Sequence, residues 1–294
     1  MRSILAKLGL EEPVLTDGAW GTALQQRGLG IGKCPDHWNL IHPDRVEQVA
    51  RSYVDAGSKI ILTNTFGASR LCLERYGLGD RTTEINSRGV EISKRAAAEQ
   101  TLVFASMGPT GRMLAMGETG EEELQETFRE QASLLAAGGA DGFVIETMSD
   151  LTEAVLAVQA ARSTGLPVVA CMVYESGRDK DCTMMGTTIE QATEALETAG
   201  ADVIGANCGH GIAGFIPICR RLRAATERPL WIKANAGLPE LVDGKASYND
   251  SPGQFAEQAI ELIELGTTFI GGCCGTDASF IRVLQERLLQ QDHR

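Results

Sequence analysis

Eight short runs of β-branched and other apolar residues recur along the chain, at 14–16, 59–63, 102–105, 142–145, 167–173, 202–205, 229–233 and 268–271. Each is followed by a stretch with helical periodicity. The runs are nearly continuous in apolar residues rather than alternating, which is the pattern of strands covered on both faces of a parallel sheet. Between them, Pro43 stands at a first helical position and Asp150 is placed to cap the segment after the fourth run. Eight strand–helix units in 294 residues predict one domain over 1–294, a single (β/α)8 TIM barrel. An open doubly wound sheet is the rival. The polar and cysteine residues of interest follow runs one, two, four, six, seven and eight. A barrel gathers those strand ends at one mouth, whereas an open sheet spreads them along an edge. The long gaps 18–41 and 108–122 read as loops framing that mouth.

Composition narrows the function classes. A formal net charge of −12 argues against nucleic acid or an anionic membrane surface as partner. No run approaches the length of a membrane-spanning helix, and Glu11 and Glu12 interrupt the N-terminal segment before a signal-type apolar core can form. Eight cysteines in 294 residues lie far below the density of a disulfide scaffold. A soluble, cytoplasmic protein with reduced thiols is expected.

Three of those cysteines stand apart. Cys273 and Cys274 are adjacent within Gly-Gly-Cys-Cys-Gly-Thr, and Cys208 ends the sixth run in Asn-Cys-Gly. Neighbouring thiols make a poor disulfide, because the ring closed through one peptide bond is strained. They are good ligands for one soft metal ion. A third thiolate from a distant strand end gives three sulfur ligands and one open position, the layout of a catalytic zinc site. Cys171, inside a strand, and Cys219, on a helical face, read as core filler, as do Cys34, Cys72 and Cys182 in their loop and helix contexts. His210 follows Cys208 closely but reads as a solvated loop residue, and His42, before Pro43, as structural. No Ser-His-Asp set or phosphate-binding loop is present.

The ordered motifs Asp17-Gly18-Ala19-Trp20-Gly21-Thr22, Thr63-Asn64-Thr65-Phe66, Glu146-Thr147-Met148, Asn207-Cys208, Asn235-Ala236-Gly237-Leu238-Pro239 and Gly-Gly-Cys-Cys-Gly-Thr resemble those of the homocysteine S-methyltransferase family. That family includes the homocysteine-binding domain of cobalamin-dependent methionine synthase. The resemblance runs from Pro13 to Leu288. It implies that Cys208, Cys273 and Cys274 bind Zn2+, with the homocysteine sulfur as fourth ligand. It further implies that Asp17 and Glu146 hold the amino-acid head group, with Asn64 and Asn235 adding polar contacts. An ammonium in a partly dry pocket needs such a carboxylate partner. In one departure, Trp20 stands where methionine synthases usually carry Met, which bears on the width of that wall and on donor preference.

The implied chemistry is coherent. A free thiol is only slightly ionised at neutral pH, and zinc coordination deprotonates it. Three protein thiolates over-neutralise the dication, so the bound sulfur keeps its nucleophilicity and displaces a methyl group from a donor, giving methionine. An anionic site favours a cationic donor. The length of the chain leaves room for the homocysteine barrel alone. The expected donor is therefore methylcobalamin on a separate corrinoid partner or a small sulfonium, betaine or folate. Two other readings stand beside this one: a Schiff-base lyase using Lys233, and a non-catalytic zinc- and homocysteine-binding subunit.

Overall fold

The computed structural model describes residues 4–291 apart from 98, 100, 243 and 244. Eight strands form the core: β1 (Val14–Leu15), β2 (Ile60–Leu62), β3 (Leu102–Met107), β4 (Gly142–Met148), β5 (Val168–Met172), β6 (Val203–Gly211), β7 (Leu230–Asn235) and β8 (Thr267–Gly272). All neighbours are parallel, in the order β1-β8-β7-β6-β5-β4-β3-β2. The ring closes through a single parallel bridge, Thr16 to Ile60, and a bond from Lys59 N–H to the Leu15 carbonyl at 2.8 Å. The expected (β/α)8 barrel is therefore present.

The strands are buried on both faces, which is why their sequences do not alternate. Inside the ring Val14, Ile60, Phe104, Val169, Trp231 and Phe269 fill the barrel, with Trp231 stacked on Phe104 and tilted against Phe269. Outside it the helices pack their apolar stripes onto the strands. Local sequence sets where they start. Asp150 accepts the Glu153 N–H, and Thr188 and Ser251 form capping boxes with Gln191 and Gln254. The sequence reading missed an antiparallel hairpin, Glu240–Val242 with Lys245–Ser247, which follows β7. Among the described residues no helix is long and apolar enough to cross a membrane.

Both long loops carry short helical turns, at Gly21–Gln26, Trp38–Ile41 and Leu114–Met116. Asp36 ties the first loop to the loop after β2: its Oδ1 accepts the Gly67 N–H at 2.9 Å, and the Cys34 thiol lies 3.6 Å from Oδ2. Burial pushes the Asp36 carboxyl up to about 6. With a folded pKa above the ordinary carboxylate value, its stabilising contribution is full below about pH 4 and is lost as pH rises through about 6. Asp36→Asn keeps an acceptor for Gly67 and removes that dependence. The unfolding free energy of the natural protein minus that of the variant should therefore fall by up to about 3 kcal/mol from about pH 4 to 7.5, read by urea denaturation.

Candidate active site

Strand β6 runs past the expected end at 205, and its pairing with β7 breaks register between Asn207 and Gly211. Cys208 sits in that break with φ +63°. Pairing of β4 with β5 breaks in the same way between Ile145 and Met148, where Thr147 has φ +61°. Bulges at strand ends re-aim side chains, and non-glycine residues at positive φ persist only where their surroundings hold them. Here the two irregular ends hold each other. Asn207 Oδ1 accepts the Thr147 N–H at 2.7 Å, and Asn207 Nδ2 donates to Thr147 Oγ1 at 2.7 Å.

The turn after β8 presents the other two thiols. The Cys273 N–H donates to the Ala234 carbonyl at 2.6 Å, and the Ala236 N–H donates to the Cys274 carbonyl at 3.0 Å. Thr276 Oγ1 caps the Cys273 carbonyl at 2.7 Å and accepts the Ala19 N–H at 3.2 Å, which ties the turn to the first loop. The packing leaves no space for side chains here. A Cβ on Gly272 would lie 2.2 Å from Thr276 Oγ1.

Cys208, Cys273 and Cys274 bring their sulfur atoms within 4.8 Å of one another, all half-buried, and are the one such metal-ligand group among the described residues. The Cys208 and Cys274 sulfurs are 4.0 Å apart. Thiols of Cys273 and Cys274 hydrogen-bond to the Cys208 sulfur and hold its pKa down to about 3. Those same interactions push Cys273 well above, and Cys274 to about 11. A soft dication binding there would displace the thiol protons that the trio shares in these hydrogen bonds. Asn207 Nδ2 approaches the Cys273 sulfur at 3.9 Å.

Beside the sulfurs lies a buried charged group. Asp17 forms an ion pair through Oδ1 with Lys233 Nζ, and its Oδ2 accepts from Leu62 N and from Trp20 Nε1, each at 2.7 Å. Glu146 accepts from Ser106 Oγ at 2.5 Å on Oε1. Burial raises the Glu146 pKa, partly offset by Lys233 and Ser106. Asn235 is 3% exposed, and its Oδ1 has no hydrogen-bond partner. Its side chain also hydrogen-bonds to Cys208. Asn64 is spent on the wall, its Nδ2 donating to the Pro35 carbonyl and to Asn39 Oδ1 at 2.9 Å each. His210 bonds the Lys180 carbonyl at 3.3 Å, and His42 packs edge-on against Trp38.

Sequence reasoning passed over Ser106, the Thr147–Asn207 clasp and Lys233 as a partner of Asp17. Thr147 and Asn207 stood inside quoted motifs. The nucleophile's role expected of Lys233 in the lyase reading needs a neutral amine. Burial alone would lower its pKa, but Asp17 and Glu146 outweigh that and hold it above the ordinary value.

A family profile described as homocysteine S-methyltransferase matches residues 14–288. The methionine synthase of Mycobacterium leprae is 33% identical over 282 residues, covering 90% of this chain and 23% of that protein. Betaine–homocysteine S-methyltransferase 1 of Danio rerio is 29% identical over 309 residues, covering 98% of this chain and 76% of that one. The chain thus spans about a quarter of the length of the methionine synthases it matches. Among solved structures, the metallated homocysteine methyltransferase MmuM from Escherichia coli superposes with a TM-score of 0.80 at 22% identity, covering 96% of this chain and 98% of that one, a likeness of fold.

Proposed function

The chain belongs to the homocysteine S-methyltransferase family, and from that premise we propose that it moves a methyl group from a donor to the sulfur of homocysteine, giving methionine, at a zinc site formed by Cys208, Cys273 and Cys274. The observation that carries this reading is the meeting of three thiols, from chain segments 66 residues apart, at one strand-end mouth. The donor set fits zinc: three soft sulfurs within 4.8 Å of one another, all half-buried, with the Cys208 thiol held toward its ionised form by its neighbours. When bound there, zinc keeps a substrate thiol deprotonated at neutral pH, and three thiolate ligands leave that sulfur electron-rich.

The chain's own residues do the positioning. The Asn207–Thr147 clasp fixes the backbone that aims Cys208, and the bonds to Ala234 and from Ala236 fix the Cys273–Cys274 turn. Glu146 and Asp17 supply the negative wall for the amino-acid head group, and the unpartnered Oδ1 of Asn235 offers a further acceptor. Asn64 acts through the loop it holds. Pre-set geometry of this kind lowers the entropic part of the barrier for an in-line transfer.

The donor enters over the mouth, whose loops expose Phe66, Met113, Met184, Met185 and Leu238. Methylcobalamin on a corrinoid partner, a sulfonium, a betaine or a methylfolate are the candidates. The test is a donor screen with zinc-loaded protein and homocysteine, read as methionine formed. One donor in that set is expected to support turnover. Tight zinc and homocysteine binding with no methionine from any donor or methyl-corrinoid protein would replace this reading with that of a non-catalytic binding subunit.

A further inference from the structure

A site of this kind leaves every sulfur on it electron-rich, and that holds for the three protein thiolates as much as for the substrate's. None of the three cysteines is shut away from a methyl donor: all are half-buried. Attack by one of them would form a sulfur–methyl bond and break the methyl–donor bond, with its electron pair leaving on the donor. An anionic ligand would become a neutral thioether, and the metal site would be lost. The substrate sulfur has to be singled out.

The surroundings of the trio supply a means. Cys208 receives hydrogen bonds from the Gly209 N–H and the Asn235 side chain. Asn207 Nδ2 gives one hydrogen to Thr147 Oγ1 at 2.7 Å and lies 3.9 Å from the Cys273 sulfur. Cys274 receives the phenol of Tyr248, whose ring packs against the core and closely over Gly275. These donors come from separate elements: Asn207 and Gly209 from β6, Asn235 from β7, and Tyr248 from the residue after the hairpin strand Lys245–Ser247. A hydrogen bond to a thiolate draws charge from the lone pair that would attack, and bonds to ionised acceptors are the strong ones.

We propose that these hydrogen bonds select the nucleophile: Gly209 and Asn235 on Cys208, Asn207 on Cys273 and Tyr248 on Cys274 quiet the protein's own sulfurs and leave the substrate sulfur to take the methyl group. The proposal rests on the zinc and homocysteine reading above and assigns the choice among sulfurs within it. Tyr248 has a single hydroxyl hydrogen, already engaged by Cys274, so it has none to give the substrate. It is also the member that can be tested alone, because Asn207 clasps Thr147 as well and Gly209 donates from the backbone. Tyr248→Phe keeps the ring over Gly275 and removes only the hydroxyl.

The test exposes zinc-loaded proteins, without homocysteine, to methyl iodide and reads S-methylation at each cysteine by peptide mass spectrometry. Methyl transfer to a cysteine sulfur releases iodide. A hydrogen bond to a charged group is worth about tenfold or more, and part of it persists in the transition state. Cys274 of Tyr248→Phe should therefore be methylated about fivefold or more faster than in the natural protein, with Cys208 and Cys273 within about twofold of their natural rates. In the cobalt-substituted proteins the same change should move the sulfur-to-metal charge-transfer band to lower energy, a shift that a purely structural role of the ring would not give. A Cys274 rate within about twofold of the natural one, with the band unmoved, overturns the proposal. A crystal structure of the natural protein with zinc and homocysteine decides it whatever the variant's metal content. The phenol on the Cys274 sulfur, with no protein donor on the homocysteine sulfur, supports the assignment, and the phenol turned to the homocysteine sulfur overturns it. Failure of the zinc-loaded natural protein to bind homocysteine by calorimetry would remove the functional reading and the proposal with it, whereas an unchanged Cys274 rate beside intact homocysteine binding removes the proposal alone.

Discussion

Cys273→Ala and Cys274→Ala are each expected to abolish zinc retention and to cut methionine formation by about a thousandfold or more, and Cys208→Ala to do the same. The reason is the geometry of the trio. Its sulfurs lie within 4.8 Å of one another, and no fourth metal-ligating side chain among the described residues joins them. Removing one leaves two protein ligands, too few for a zinc ion that must keep a position open for substrate. The matched control is Cys219→Ala. That thiol is buried on the helix Phe215–Ala225, 3.2 Å from Thr267 Oγ1, in the helix layer outside the barrel. It should lose about 1 kcal/mol of stability from the small cavity and keep both metal and turnover. Zinc content by elemental analysis and methionine formation read both sets. Stripping the natural protein with a chelator should reproduce the cysteine phenotype, and zinc should reverse it. Normal turnover by a metal-free Cys273→Ala/Cys274→Ala protein would end the assignment.

How much of this was legible in the chain follows from the range over which each feature is encoded. The eight strands were readable because burial on both faces writes itself into consecutive residues, as in Val168–Met172 and Leu230–Asn235. Convergence of Cys208 with Cys273 and Cys274 followed from the barrel, since parallel strand ends meet at one mouth whatever their separation in sequence. The register breaks at Glu146–Thr147 and Cys208 did not follow. They depend on a side chain of one strand satisfying the backbone of another, as Asn207 does for Thr147, and no local pattern announces that. The Asp17–Lys233 pair spans 216 residues and was invisible for the same reason. A lysine buried in a strand demands an acidic partner, and nothing local to Lys233 in the sequence says which acid supplies it. Asn64 shows the opposite limit: a motif residue beside the mouth whose amide nitrogen is engaged by the first loop, at Pro35 and Asn39.

The clasped and capped turns also explain why the cysteine site should be sensitive to changes that touch no sulfur, and Gly275→Ala is the sharpest case. Gly275 follows the cysteine pair at φ +84°, and a Cβ there would lie 2.2 Å from Cγ and 2.6 Å from Cβ of Tyr248. The backbone conformation alone costs an alanine about 1–2 kcal/mol. The clash then forces the Tyr248 ring away, and that ring is a hydrogen-bond partner of the Cys274 sulfur, which together with burial keeps the phenol's pKa raised. Two effects therefore converge on one thiol. The barrel should still form, because its core lies on the strands below the turn, while zinc affinity falls by about a hundredfold. Tyr248→Gly/Gly275→Ala should recover part of that loss, because it removes both clashing atoms and leaves the part due to φ and to the missing phenol, so with Tyr248→Gly as the third variant the two substitutions are expected to be non-additive. Competition with a chromogenic zinc chelator measures all three variants, with circular dichroism to report the fold. Zinc binding by Gly275→Ala equal to that of the natural protein would show that the close-packed turn does not set the position of Cys274.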